Sequence, residues 1–379
     1  MKKLLLSAVS LIMVFAMAGC AKNGVTVDTG KDDKNINKGQ AVSQIDPNNK
    51  FGWLGGDENS FQYVSGQGAG WIRPHPGPFV WDMMQISQTD EIDFTNMDKT
   101  VSDAQKYGVN LLITIWPFAN WDQIKRSNAS SCQVSSDDEF LPQNDKKGRD
   151  SYLPLYRCNP NDWNAYKSFV TQVVERYDGD GVDDIKGLTY PIRYWEVMNE
   201  PDLEGGMGLD FYKQGYTEYA ELLKNTFQAV KEADSTAQVL IAGAAGADSR
   251  FLNFYESMFK ADATLANYFD IANIHCISND RSTNSFNVIA YKQMLDRQGI
   301  LKPIWVTEAE MMTGSTLDEN AETTSLNVKN AIAAGASKIF FTRYDFADTR
   351  TDMSQKFEPS ESEQLRSDEL YRDIIKSNN

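Results

Sequence analysis

Two glutamates close apolar stretches of the chain, and their residue type and spacing suggest paired chemistry. Tyr194-Trp195-Glu196-Val197-Met198-Asn199-Glu200-Pro201 runs to Glu200, and Pro303-Ile304-Trp305-Val306-Thr307-Glu308 runs to Glu308. Two carboxyl groups at one mouth of a fold, one protonated and one ionised, are the minimum set for breaking a glycosidic bond. The acid protonates the departing oxygen while the carboxylate stabilises or traps the positive sugar. Glu196 and Glu310 lie beside the pair and compete with it, and Glu310 is the more serious rival because it too can face the cleft as a substrate-binding acid.

The chain's two histidines, His75 and His275, both fall where apolar runs end. No third histidine or cysteine cluster gives them zinc-like spacing, so no metal is expected. His275 is read as a contact to the sugar or to Glu308, and His75 as either a site residue or a loop residue. Trp116, Phe118 and Trp121 follow a further apolar run, where flat rings suit stacking on sugar faces or packing in a core.

Positioning such groups requires strands whose ends converge. From Phe51 onward, short apolar runs alternate with amphipathic stretches, the pattern of parallel strands joined by helical crossovers. The strand candidates are Phe51–Leu54, Gly70–Arg73, Val109–Trp116, Ile192–Asn199, Gln238–Gly243, Ile271–His275, Pro303–Glu308 and Lys338–Tyr344. Several are apolar on both faces, as buried parallel strands are. A helix is expected from Thr95 to Tyr107, opened by Thr95 and Asp98 in capping-box spacing and stopped at Gly108. Tyr219, Leu222, Leu223, Phe227 and Val230 mark the inner face of another, and a closing helix spans roughly Ser362 to Ile375. Eight repeats predict an α/β fold, a single (β/α)8 TIM barrel with its functional groups at the C-terminal rim of the strands. No glycine-rich phosphate loop follows any strand, which argues against a nucleotide-binding sheet.

With Glu200 and Glu308 in those contexts, W-E-V-x-N-E-P followed about a hundred residues later by W-V-T-E, the barrel resembles clan A of the glycoside hydrolases. Its look is closest to the family 39 and family 5 type enzymes, and Gly70-Trp71-Ile72-Arg73 at the second strand strengthens the likeness. The resemblance implies a retaining mechanism: Glu308 attacks the anomeric carbon, and Glu200 protonates the leaving group and then deprotonates water. Their carboxyls should lie about 5–5.5 Å apart. It further implies that Asn199 bonds the sugar 2-hydroxyl and that Arg73 keeps Glu308 ionised. At the eighth strand, where the clan often carries a tryptophan, this chain has Phe341-Thr342-Arg343-Tyr344-Asp345, so Tyr344 or Arg343 is the substitute. The expected substrate is a β-linked glucan, xylan or mannan, with no organic cofactor. An exo-acting enzyme such as a β-xylosidase and a non-catalytic surface glycan-binding lipoprotein stand as alternatives.

The remaining features bear on location and stability. The chain has 379 residues, 41% hydrophobic and 11% aromatic, enough for one large core, and is expected to be a monomer. Its formal charge of −16 would repel a phosphate backbone, so nucleic acid is not an expected partner. Residues 1–20 have the layout of an export signal, with Lys2 and Lys3 before an apolar run that ends Ala18-Gly19-Cys20. That ending resembles the lipobox of bacterial lipoproteins, which implies lipidation of Cys20 and an exported protein held to a membrane by lipid alone. Residues 21–50 read as a polar tether and 51–379 as the catalytic barrel. Cys132 and Cys158 flank one polar stretch and are expected to pair, while Cys276 is read as a buried apolar residue. Asp178 to Asp184 resembles part of a calcium loop, at the barrel end opposite the site.

Overall fold

The computed structural model describes residues 46–144, 151–203, 210–277, 287–309, 316–348 and 358–379. Strands and helices alternate along them. In chain order they are β1 (Phe51–Leu54), α1 (Glu58–Gly66), β2 (Trp71–Arg73), α2 (Trp81–Met84), α3 (Thr95–Tyr107), β3 (Asn110–Ile115) and α4 (Asn120–Gln123). There follow α5 (Trp163–Glu175), β4 (Tyr194–Val197), α6 (Tyr216–Ala233), β5 (Gln238–Ile241), α7 (Ser249–Ala261) and β6 (Ala272–His275). The series ends with α8 (Asn287–Arg297), β7 (Ile304–Glu308), α9 (Leu317–Ala333), β8 (Ala336–Phe341) and α10 (Glu361–Asn378). All eight strands run parallel, in the order β5-β4-β3-β2-β1-β8-β7-β6. Bridges from Leu240 to Ile271 and from Ala244 to Ile274 close the seam between β5 and β6. The fold is therefore the single (β/α)8 barrel that the sequence predicts.

Every strand is seen where the sequence places one, with shifted ends. β8 starts two residues before the expected Lys338 and stops at Phe341, three short of Tyr344; β4 stops at Val197, short of Asn199. The α3 cap differs in kind. Thr95 is the first helical residue, not the cap; its N–H and hydroxyl both donate to Asp93. Asp98 is engaged by Arg176 and Tyr177 instead, so the Thr95–Asp98 capping box does not form. At the other end Gly108 does stop the helix, in a left-handed conformation (φ 69°) that glycine adopts without strain.

Two apolar layers result. One lies between strands and helices; the other fills the barrel with Leu54, Trp71, Leu112, Leu240, Ile271, Trp305 and Phe340. Beneath these rings, Lys338 sits 4.4 Å over Trp71 and donates to the carbonyls of Pro47 and Asn49. Residues 47–49, expected to be tether, thus close the barrel floor. Cys132 and Cys158 are joined in a disulfide, and Cys276 is buried and unbridged. Cys20 lies outside the described residues.

Candidate active site

Alternation along the strands turns every second residue inward. Above the aromatic layer this brings Arg73 from β2, Thr114 from β3, Glu196 from β4 and Asn273 from β6 into one buried network. At β7 the register with β6 shifts, so that Ile274 pairs with Val306 but His275 pairs with Glu308. The extra residue lets the neighbours Thr307 and Glu308 both reach interior groups, which regular alternation forbids.

β4 delivers Glu200 by a different device. After Val197 the chain leaves the strand, and Met198 (φ 67°) and Glu200 (φ 40°) adopt left-handed conformations. Such conformations strain non-glycine residues by about 1–3 kcal/mol each and persist where surrounding contacts enforce them. Asn199 is held by Arg73, whose Nη2 donates to its Oδ1 at 2.6 Å; its own Nδ2 is buried and has no partner among the described residues.

Arg73 organises the centre. Its Nη1 donates to Glu308 Oε1 at 2.8 Å and its Nε to Glu196 Oε2 at 2.8 Å. Burial works against its charge, but Glu196 and Glu308 outweigh this and hold its pKa above the ordinary value. Glu196 also accepts from Thr114 and from Asn273 Nδ2 (2.6 Å), which fills its acceptor positions and leaves it no free face toward a substrate. It is a support for Arg73, not a rival to Glu200. Glu310 lies outside the described residues.

Glu200 is fully buried and Glu308 is 5% exposed. One carboxyl oxygen of each, together with a ring nitrogen of His275, all fall within 4.8 Å of one another. Burial, then the negative charges of Glu308 and Asp202, push the Glu200 pKa well above the usual carboxyl range. Burial likewise lifts Asp202 to about 8, although both its oxygens accept from the Ala245 N–H. His275 lies 3.7 Å from Glu308, one of the two contacts expected of it, but its nearer partner is Glu200, 2.6 Å away through Nδ1. Burial, reinforced by Arg73, keeps its pKa well below the ordinary value.

Other expected contacts are placed elsewhere. Trp116 has no exposed surface; its Nε1 donates to Pro76 O and its ring packs on His75 and Phe211, offering no face to a sugar. Phe118 is also fully buried, and Trp121 is tied to Gln85 O and packs on Trp81. Tyr344, three residues beyond the end of β8, packs on Trp53 and Tyr63 and donates to Leu54 O. Arg343 points to Asp348. His75 does stand at the site, 3.4 Å from Arg73 Nη1.

The triad of Glu200, His275 and Glu308 has the spacing of a cation site, but the adjacent Arg73 guanidinium opposes a second positive charge there. Glu175, Asp178 and Asp180 form another close group, below the barrel. Within that loop Asp178, Asp180 and Asp184 accept backbone N–H groups of the loop itself.

One determinant was invisible in the sequence. A Cβ on Gly243, just past β5, would stand 2.1 Å from His275 Nε2 and 2.3 Å from its Cδ2. Gly243→Ala is therefore expected to force the ring out of place and lower stability by about 1–3 kcal/mol, read by denaturant unfolding. An unchanged midpoint would mean that the ring has room to spare.

Fold and site together define a (β/α)8 barrel with two buried glutamates at its C-terminal rim, Glu308 held by Arg73 and Glu200 by His275. No family model matches the chain. Among solved structures it is similar to a glucosidase from Croceicoccus marinus, with 14% identity and a TM-score of 0.58 over 89% of this chain and 69% of that one. It is also similar to a GH39 β-xylosidase from Caulobacter crescentus, with 15% identity and a TM-score of 0.54 over 81% and 65%. At such identity these likenesses establish the fold. A segment of 121 residues is 27% identical to mannan endo-1,4-beta-mannosidase 5 of Solanum lycopersicum, covering 30% of this chain and 24% of that protein. The match thus spans about a quarter of the curated relative's length.

Proposed function

We propose that the protein is a retaining glycoside hydrolase that cleaves β-linked polysaccharide or oligosaccharide of glucan, xylan or mannan type. The observation that carries this reading is the pairing of Glu200 and Glu308, with carboxyl oxygens within 4.8 Å. A retaining enzyme holds its carboxyls about 5–5.5 Å apart so that one can attack the anomeric carbon, whereas an inverting enzyme leaves about 6.5–9.5 Å for a water. Arg73 keeps Glu308 ionised as the nucleophile, and burial keeps Glu200 protonated as the acid. The unpartnered Nδ2 of Asn199 is free to donate to the sugar 2-hydroxyl, a bond that strengthens in the transition state. The solved and curated relatives, named for activity on glucosides, xylosides and mannan, fit the same substrate class. The N-terminal features add that the enzyme is exported and lipidated on Cys20, a proposal that mass spectrometry of the mature N-terminus tests.

Purified protein assayed on a panel of glucans, xylans and mannans should release sugars, and the products over time separate endo action, a ladder, from exo action, one monomer. Glu200→Gln should cost about 10²- to 10⁴-fold in kcat with glycosides of poor leaving groups. With 2,4-dinitrophenyl glycosides, which leave without a proton, the first step should be nearly untouched. The acid must be protonated to act, so wild-type activity should persist toward neutral pH and fall as pH rises through the elevated pKa of Glu200. An equal loss in kcat/KM, which reports the first step, on every leaving group would remove Glu200 from the acid role.

A further inference from the structure

A run of hydrogen bonds leads from Glu200 into the barrel, and the direction of each is dictated by the one below it. Its base is Glu196, a carboxylate paired with Arg73 that can only accept. Asn273 must therefore turn its NH2 toward Glu196 Oε1 (2.6 Å), which leaves its Oδ1 facing Thr307 Oγ1 at 2.9 Å. An amide oxygen accepts, so the Thr307 hydroxyl spends its single proton there, or on Glu196 Oε1 at 3.4 Å, which accepts as well. Either way Thr307 has only lone pairs left for His275 Nε2, 3.0 Å away, and that nitrogen must carry the ring proton. His275 Nδ1 is then a bare acceptor, 2.6 Å from Glu200 Oε1.

We propose that Thr307 and Asn273 are positioning residues that fix the proton on Glu200 by fixing the tautomer of His275. Only a protonated Glu200 can satisfy an accepting Nδ1. The opposite tautomer would set the lone pairs of Thr307 Oγ1 and Asn273 Oδ1 against each other at 2.9 Å inside a buried site, where unpaired polar contacts are costly. A neutral acid also suits Glu200 Oε2, which is buried with no partner among the described residues. The charged groups around the pair act mainly in the same sense: Glu308 and Glu196 favour the protonated acid and Arg73 opposes it, while Arg73 also disfavours a charged His275. The kinetic consequence rests on the hydrolytic reading; the tautomer does not.

The tautomer can be read directly, because the chain has two histidines. Long-range proton–nitrogen correlation spectra of the 15N-labelled protein, assigned with His75→Gln, should show His275 neutral from pH 5 to 8 with its proton on Nε2. Thr307→Val removes the acceptor and should move that proton to Nδ1. It should also shift the basic limb of kcat/KM for an aryl glycoside down by about one pH unit or more, as Glu200 becomes an acceptor. Thr307→Ser should restore both. A proton on Nδ1 in the wild type overturns the proposal without any variant, and so does a Thr307→Val protein with wild-type tautomer and pH profile. Should Nε2 carry the proton while no glycoside is cleaved, the inference about proton placement stands and the hydrolytic reading falls.

Discussion

Glu308→Gly is expected to lower kcat/KM by about 10⁴-fold or more, roughly 5.5 kcal/mol of lost transition-state stabilisation. The loss should be partly recovered by azide. Without the side chain no covalent intermediate can form, yet Glu200 remains to protonate the leaving oxygen, and the space beside Arg73 Nη1 suits a small anion. Azide entering there attacks the anomeric carbon from the face that Glu308 occupied, the bond to the leaving oxygen breaks, and a β-glycoside gives an α-glycosyl azide. Glu200→Gly should behave oppositely. Its covalent intermediate still forms with an activated substrate, and azide then arrives from the other face to give the β-azide. The pair of products separates the two roles more sharply than rates do. A β-azide from Glu308→Gly would exchange the assignments, and undiminished hydrolysis would remove Glu308 from the chemistry.

That Glu200 and Glu308 share one end of the barrel was legible because each follows an apolar strand, and parallel strands of a barrel present their C-terminal ends on one side. The residues that hold them were harder to read. Thr114, Asn273 and Thr307 are polar residues inside largely apolar strands, and their inward parity was the available signal. Their partner Glu196 was seen only as a competitor. Its burial and its bonds to β2, β3 and β6 arise from closing the barrel, which joins residues 77 to 123 positions apart. The register shift at β7 and the left-handed turn at Met198 and Glu200 leave no compositional mark, since neither uses glycine. Trp116 and Tyr344 misled for the converse reason. Aromatic residues near strand ends pack in cores as readily as they line clefts, and here His75 and Phe211 cover the first while Trp53 and Tyr63 hold the second.

Arg73→Met should be the most damaging single change to the folded protein, by about 3–5 kcal/mol, because it removes the cation between two buried carboxylates without removing either. Glu196 and Glu308 would then face each other across a dry interior, and one would have to take up a proton. If Glu308 takes it, the nucleophile is lost, so activity should fall at least about 10²-fold in protein that remains folded. Arg73→Lys should recover part of the stability and little of the activity. A single ammonium cannot reproduce the planar fork that reaches Glu196, Glu308 and Asn199 together. The decisive comparison is Arg73→Met with Glu196→Gln. Neutralising Glu196 alone strands half of the Arg73 charge, but once Arg73→Met is in place the same change relieves a repulsion, so the double variant should be more stable than the sum of the single losses predicts. Additive losses in urea unfolding would mean that the two side chains act independently, and Glu308 would then need another source for its ionised state.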